Sequence, residues 1–107
     1  MKPSTLFATV AAAALMVGAP AYAARDAAAL YQSALAATCA NCHGTQGQAV
    51  SNAAVPGLAG MPAAYLAEQM RAFRGGSRPA TVMHQIAKGY NDAQIDALAA
   101  YFAAQPR

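Results

Sequence analysis

Five consecutive residues, Cys39-Ala40-Asn41-Cys42-His43, constrain this chain more than any other stretch. Two cysteines three apart fall on nearly one face of a helical turn, so both thiols can add to the vinyl groups along one porphyrin edge. His43 follows at once and offers an imidazole to the iron from a face set by the tethered cysteine before it. The Cys-x-x-Cys-His spacing is the attachment pattern of covalent haem c. Three rival readings fare worse. A thioredoxin-like dithiol needs a strand-rich βαβ unit, and this chain has Ala and Leu in helical spacing with no β-branched alternation. A zinc site would have to use Cys39, Cys42, His43 and His84, two of them sequence neighbours that converge poorly on a tetrahedral ion. A Cys39–Cys42 disulfide would close a loop too small to restrain the unfolded chain.

The first residues read as an address. Lys2 gives a positive start, Leu6 to Ala19 is apolar or small throughout, and Ala21-Tyr22-Ala23 forms an A-x-A cleavage site. Residues 1–23 are therefore expected to be a cleaved signal peptide and 24–107 the working domain. An uncleaved membrane anchor is the alternative, but the run is short for a span and Pro20 is expected to break it. A domain this small buries little surface unaided and needs a staple, which a large flat apolar cofactor held covalently would provide. Without Lys2, six Lys and Arg stand against four Asp and Glu. A balance so near neutral gives no support to nucleic-acid binding, and a charge-steered encounter would need a local patch.

Along the rest of the chain the pattern predicts a helix over 25–38 with Asp26 as N-cap, delivering the chain to Cys39. Gly44 to Gly60 is rich in Gly, Ser, Asn and Pro and reads as a long functional loop. Pro62 opens a second helix with an apolar stripe of Leu66, Met70 and Phe73, joined by Tyr65, and Gly75-Gly76 ends it. Arg71, Arg74 and Arg78 decorate its exit, either as a solvated face or toward a propionate or an acidic partner. Residues 81–88 read as a short helical turn stopped by Gly89. The last helix is capped by Asn91 with Gln94 three residues on, and Ile95, Leu98, Ala99 and Phe102 follow its buried face. The alanine-faced first helix is expected to pack against Leu98, Tyr101 and Phe102. One Cys-x-x-Cys-His implies one haem.

With these residues in hand, the chain resembles the class I cytochromes c. The stretches that carry the likeness are 35–44 (Leu-Ala-Ala-Thr-Cys-Ala-Asn-Cys-His-Gly), 56–60 (Pro-Gly-Leu-Ala-Gly), 78–83 (Arg-Pro-Ala-Thr-Val-Met) and 86–90 (Ile-Ala-Lys-Gly-Tyr). It is similar to cytochrome c4-type haem domains and, more narrowly, to the haem subunit of flavocytochrome c sulfide dehydrogenase. The resemblance implies an all-α fold wrapped around one haem, attachment of that haem outside the cytoplasm, and hence a periplasmic protein. It implies a methionine on the iron opposite His43. Met61, Met70 and Met83 are available; the Thr-Val-Met context matches Met83 to the family ligand, whereas Met70 fits the core stripe and Met61 follows a segment on the histidine side. His84, adjacent to Met83, would diverge from it by about 100° on a helical turn and is expected to face solvent. The resemblance further implies that the Pro56 carbonyl accepts the Nδ1 hydrogen bond of His43.

The function expected is one-electron transfer rather than catalysis, and the narrower resemblance implies an FAD-containing sulfide dehydrogenase flavoprotein as donor. A freestanding carrier to an oxidase or reductase is the alternative. A haem sensor or peroxidase with an open iron position is the alternative of another class, and it predicts high-spin iron that binds carbon monoxide rapidly.

Overall fold

The computed structural model describes the backbone of residues 6–107 and the side chains of residues 21–107. Lys2 lies outside the described residues, as do the side chains of the apolar run after it. Among the described residues the fold is helical without strands: α1 is Leu6–Ala37, α2 Ala40–His43, α3 Ala63–Gly75, α4 Met83–Ile86 and α5 Asp92–Ala103, with single 3-10 turns at Thr45–Gly47 and Ala87–Gly89. No described helix is long and apolar enough to cross a membrane.

The chain divides into two compact units, the first ending at Tyr31 and the second running over Gln32–Arg107. Helix α1 runs through that boundary, so Asp26 lies inside a helix instead of capping one, and Pro20 does not interrupt it. The alanine and leucine around these positions are the strongest helix formers, and their summed propensity outweighs the single hydrogen bond a proline removes.

In the second unit the core is one cluster: Ala36, Leu66, Ala67, Ile95, Leu98, Ala99 and Phe102. Helix α5 supplies four of these on its expected face. Its start is a reciprocal capping box, in which Asn91 Oδ1 accepts from the Gln94 amide at 2.9 Å and the Asn91 amide donates to Gln94 Oε1 at 3.0 Å. Its main partner among the described residues is α3. Helix α1 contributes Ala36 to the cluster and an arm, Gln32 Nε2, that donates to the Ala97 carbonyl at 2.8 Å. The expected pairing of first and last helices is thus present but secondary, because alanines offer little area while α3 brings Leu66. Pro62 sits just before α3, not within its first turn, and left-handed Gly76 closes the helix. Leu66 is buried and Met70 packs on the core; Tyr65 is exposed.

Arg71 and Arg74 in the last turns of α3, and Arg78 just beyond it, all have partners. Arg71 bridges Asp92 (3.3 Å) and Asp96 (2.7 Å), while Arg74 bridges Asp92 at 2.5 Å and donates to the Tyr90 carbonyl at 3.1 Å. Arg78 donates to Gln69 and stacks 4.5 Å over the Phe73 ring. Two of the three are therefore tied into α5 by solvent-exposed ion pairs. The hydrogen bond from Arg74, reinforced by Arg71, holds the Asp92 carboxyl below the usual carboxylate range. A group with a depressed folded pKa stabilises the fold above its unfolded pKa of about 4, and that contribution disappears as pH falls through the folded value. In low salt, the melting temperature of the protein should drop more steeply below pH 4 than that of Asp92→Asn. Parallel acid limbs in the two melting series would show that the bridge adds nothing.

The loop 44–60 is anchored at both ends by glycine. Gly44, at φ +85°, turns the chain directly after His43, and a Cβ there would collide with the Gln48 carbonyl. Gly47, at φ +77°, is buried beneath Phe102. Its carbonyl accepts from the Leu58 and Ala59 amides at 2.8 and 3.1 Å, and the Gly60 amide donates to the Phe102 carbonyl at 2.8 Å. These bonds return the loop to α5 and leave Pro56 facing the motif.

Candidate haem site

Helix α2 is one turn long, and the motif occupies it. Cys39 stands at its N-terminal boundary and receives the His43 and Cys42 amides at 3.0 and 3.3 Å. Cys39 is half-buried and Cys42 exposed, neither in a disulfide. Burial pushes the Cys39 thiol above its usual range; the Thr38 hydroxyl pulls the other way, and Cys42 adds to the rise.

His43 is the buried polar residue of the set, 9% exposed. Its Nδ1 lies 2.7 Å from the Pro56 carbonyl oxygen. A carbonyl can only accept, so Nδ1 carries the proton, and in the neutral ring Nε2 is left with its lone pair. This is the tautomer a metal ligand requires, with the ring's orientation fixed from behind. The structure thus brings Cys39, Cys42, His43 and Pro56 together.

Met83 opens α4, a turn that lies against α3, and is half-buried. Val82 and Ile86, at the two ends of the same turn, are 55% and 42% exposed. Met70 packs on the core, and Met61 packs there too while lining an open groove with Gly57, Ala59 and Arg107 that contains no residue of the haem motif. His84 departs from expectation: it is half-buried, with Nδ1 covered and lacking a hydrogen-bond partner. Sequence reasoning missed Thr38 and Tyr90, whose hydroxyls meet at 2.9 Å beside the first cysteine. Nothing local signals a contact between residues so distant in sequence.

These residues fit a haem. The motif places two thiols and a correctly protonated imidazole on one turn, and the core around them is small: among the described residues Ile95 is the one large side chain fully buried. The cytochrome c family model matches residues 24–105. The chain belongs to the cytochrome c family. With the family come a covalent haem c, for which the chain has one attachment motif, and cytochrome c electron transfer.

Among relatives, this cytochrome is 46% identical over 67 residues to the thiosulfate dehydrogenase electron acceptor of Thiomonas intermedia, covering 63% of this chain and 31% of that protein. It is 40% identical over 68 residues to the cytochrome subunit of sulfide dehydrogenase of Chlorobaculum tepidum, covering 64% of this chain and 60% of that one. Among solved structures it is similar to cytochrome c4 of Acidithiobacillus ferrooxidans, with a TM-score of 0.58 and 39% identity over 62% of this chain and 37% of that one. The chain therefore spans about a third of the first relative's length and under two thirds of the second's.

Proposed function

We propose that this cytochrome is a periplasmic electron acceptor for an enzyme that oxidises a reduced sulfur compound, with Cys39 and Cys42 as the haem thioethers and His43 and Met83 as the axial ligands. The contact that carries the reading is Pro56 carbonyl to His43 Nδ1, because it leaves Nε2 unprotonated for iron. When bound, the haem supplies a one-electron ferric/ferrous couple. The chain's own contribution is to hold that couple still. Pro56 orients His43, α2 carries both tethers, and the Met83 thioether would supply a neutral sulfur to the iron. With both ligands supplied by the chain, little geometry would have to rearrange on electron gain, and a thioether would favour the reduced state.

Residues 1–23 are read as a removed leader. The family match beginning at residue 24, immediately after Ala21-Tyr22-Ala23, supports this.

The donor is read as an FAD-containing sulfide dehydrogenase flavoprotein, supported by the Chlorobaculum tepidum relative. A second reading, a thiosulfate dehydrogenase as donor, is favoured by the higher identity of the Thiomonas intermedia relative. The test is reduction of the purified ferric protein, once its mass confirms a chain starting at Ala24 with one haem. Sulfide with the flavoprotein should reduce it within the donor's turnover time, and thiosulfate with its dehydrogenase should not. The reverse result selects the second reading. Reduction by neither, with rapid reduction of an oxidase by the cytochrome, would make it a freestanding carrier.

A further inference from the structure

We propose that Thr38 and Tyr90 are positioning residues of the haem site, a hydroxyl brace that ties the segment carrying Met83 to the residue preceding Cys39 and slows the departure of Met83 from the iron. This rests on the reading of Cys39 as a haem tether and Met83 as an iron ligand.

The polarity of the brace follows from its contacts. Thr38 Oγ1 lies 2.8 Å from the Leu35 carbonyl and 2.9 Å from the Tyr90 hydroxyl. Thr38 has one hydroxyl proton and the carbonyl can only accept, so that proton goes to Leu35 and Tyr90 donates to Thr38. The thiol of Cys39 lies 3.8 Å from the same oxygen. Once that sulfur is a thioether it has no proton to give, and Tyr90 remains as the donor to Thr38.

Both ends of the brace are seated in backbone. On one side the Thr38 amide donates to the Leu35 carbonyl at 3.3 Å and the Cys39 amide to Ala36 at 3.0 Å, closing the end of α1 directly onto the motif. On the other, Met83 to Tyr90 is one piece: α4 passes straight into the 3-10 turn Ala87–Gly89, Ala87 is fully buried, and the Tyr90 amide donates to the Ala87 carbonyl at 3.2 Å. The Tyr90 ring packs against the core, and its carbonyl accepts from Arg74 at 3.1 Å. The Met83 end of this piece is a short element that lies on α3. Helix α4 is a single turn, its boundary residue Val82 provides no side-chain cap, and Val82 and Ile86 are exposed. A tie at Tyr90 therefore adds a restraint from the motif side to a one-turn segment otherwise held by its packing on α3.

Tyr90→Phe and Thr38→Val each delete the bond with little change in volume, and Thr38→Ser keeps it. The experiment follows displacement of the Met83 sulfur from the ferric holoprotein by excess imidazole, read as loss of the far-red sulfur-to-iron band well below the melting temperature. Both deletions should speed displacement by about three- to ten-fold, the range spanned by one hydrogen bond. Thr38→Ser should stay within about two-fold of the parent, and the double variant should be no faster than the faster single one, since both changes remove the same interaction. Unchanged rates in Tyr90→Phe and Thr38→Val would overturn the brace. So would Thr38→Ser as fast as Thr38→Val, or a double variant that multiplies the two effects. A parent protein with no far-red band would sink the Met83 reading itself and the brace with it, a result distinguishable because it appears before any substitution.

Discussion

Gly47→Ala should lower the melting temperature of the holoprotein by about 8–40 °C. The residue has φ +77°, a region that costs an L-residue roughly 1–2 kcal/mol. A Cβ there would also stand 2.8 Å from Phe102 Cδ1 and 3.0 Å from the Ala59 amide nitrogen. Overpacking of that kind costs about 1–3 kcal/mol. Neither neighbour can yield easily, because Phe102 is buried in the core and Ala59 is hydrogen-bonded back to Gly47. Together the two effects come to about 2–5 kcal/mol, a large share of the ~5–15 kcal/mol that separates a folded domain from its unfolded chain. At about 4–8 °C per kcal/mol for a domain this small, the shift follows. Gly89→Ala is the control: a Cβ there meets nothing within 4 Å, and its melting temperature should stay within a few degrees of the parent's. Equal melting temperatures for the two variants would show that the loop is not held by its seat under Phe102.

Met83→Ala should abolish the far-red sulfur-to-iron band, convert much of the iron to high spin and lower the reduction potential on the order of 0.1–0.3 V, within the ~0.8 V that axial ligands span. The sign follows from the ligand: a neutral thioether favours ferrous iron, and the water or hydroxide that replaces it favours ferric. Met61→Leu and Met70→Leu conserve volume in residues that pack on the core and should keep the band. Survival of the band in Met83→Ala, or its disappearance in Met70→Leu, would move the ligand elsewhere. Tyr90→Phe/Met83→Ala should match Met83→Ala in band and potential, because the brace acts only while Met83 is bound.

Several elements were legible because their causes are local. The α5 capping box joins residues three apart, and the buried face of Ile95, Leu98, Ala99 and Phe102 repeats within one helix. The α3 stop at Gly76 follows from one residue's freedom at positive φ. The start of α1 was misjudged for a related reason. Asp26 has the chemistry of a cap, but a cap forms only where the helix on its N-terminal side ends, and the alanines before it do not end it. His84 was expected in solvent from the angle between neighbours on a turn, yet it is half-buried on a turn that lies against α3.

By itself the sequence determined the chemistry of attachment: two thiols and an imidazole whose usefulness depends on spacing within a single turn, and so on nothing beyond residues 39–43. Tertiary structure decided what that chemistry is held by. The partners of Arg71 lie 21 and 25 residues away, Thr38 meets Tyr90 across 52, and Gln32 reaches Ala97 across 65. No periodicity encodes such pairs, because each forms only after α3 and α5 have buried their shared apolar face and brought the distant side chains within reach. The tautomer of His43 belongs to the same class: its proton is assigned by a carbonyl 13 residues along a loop that closes only when Gly47 fits beneath Phe102.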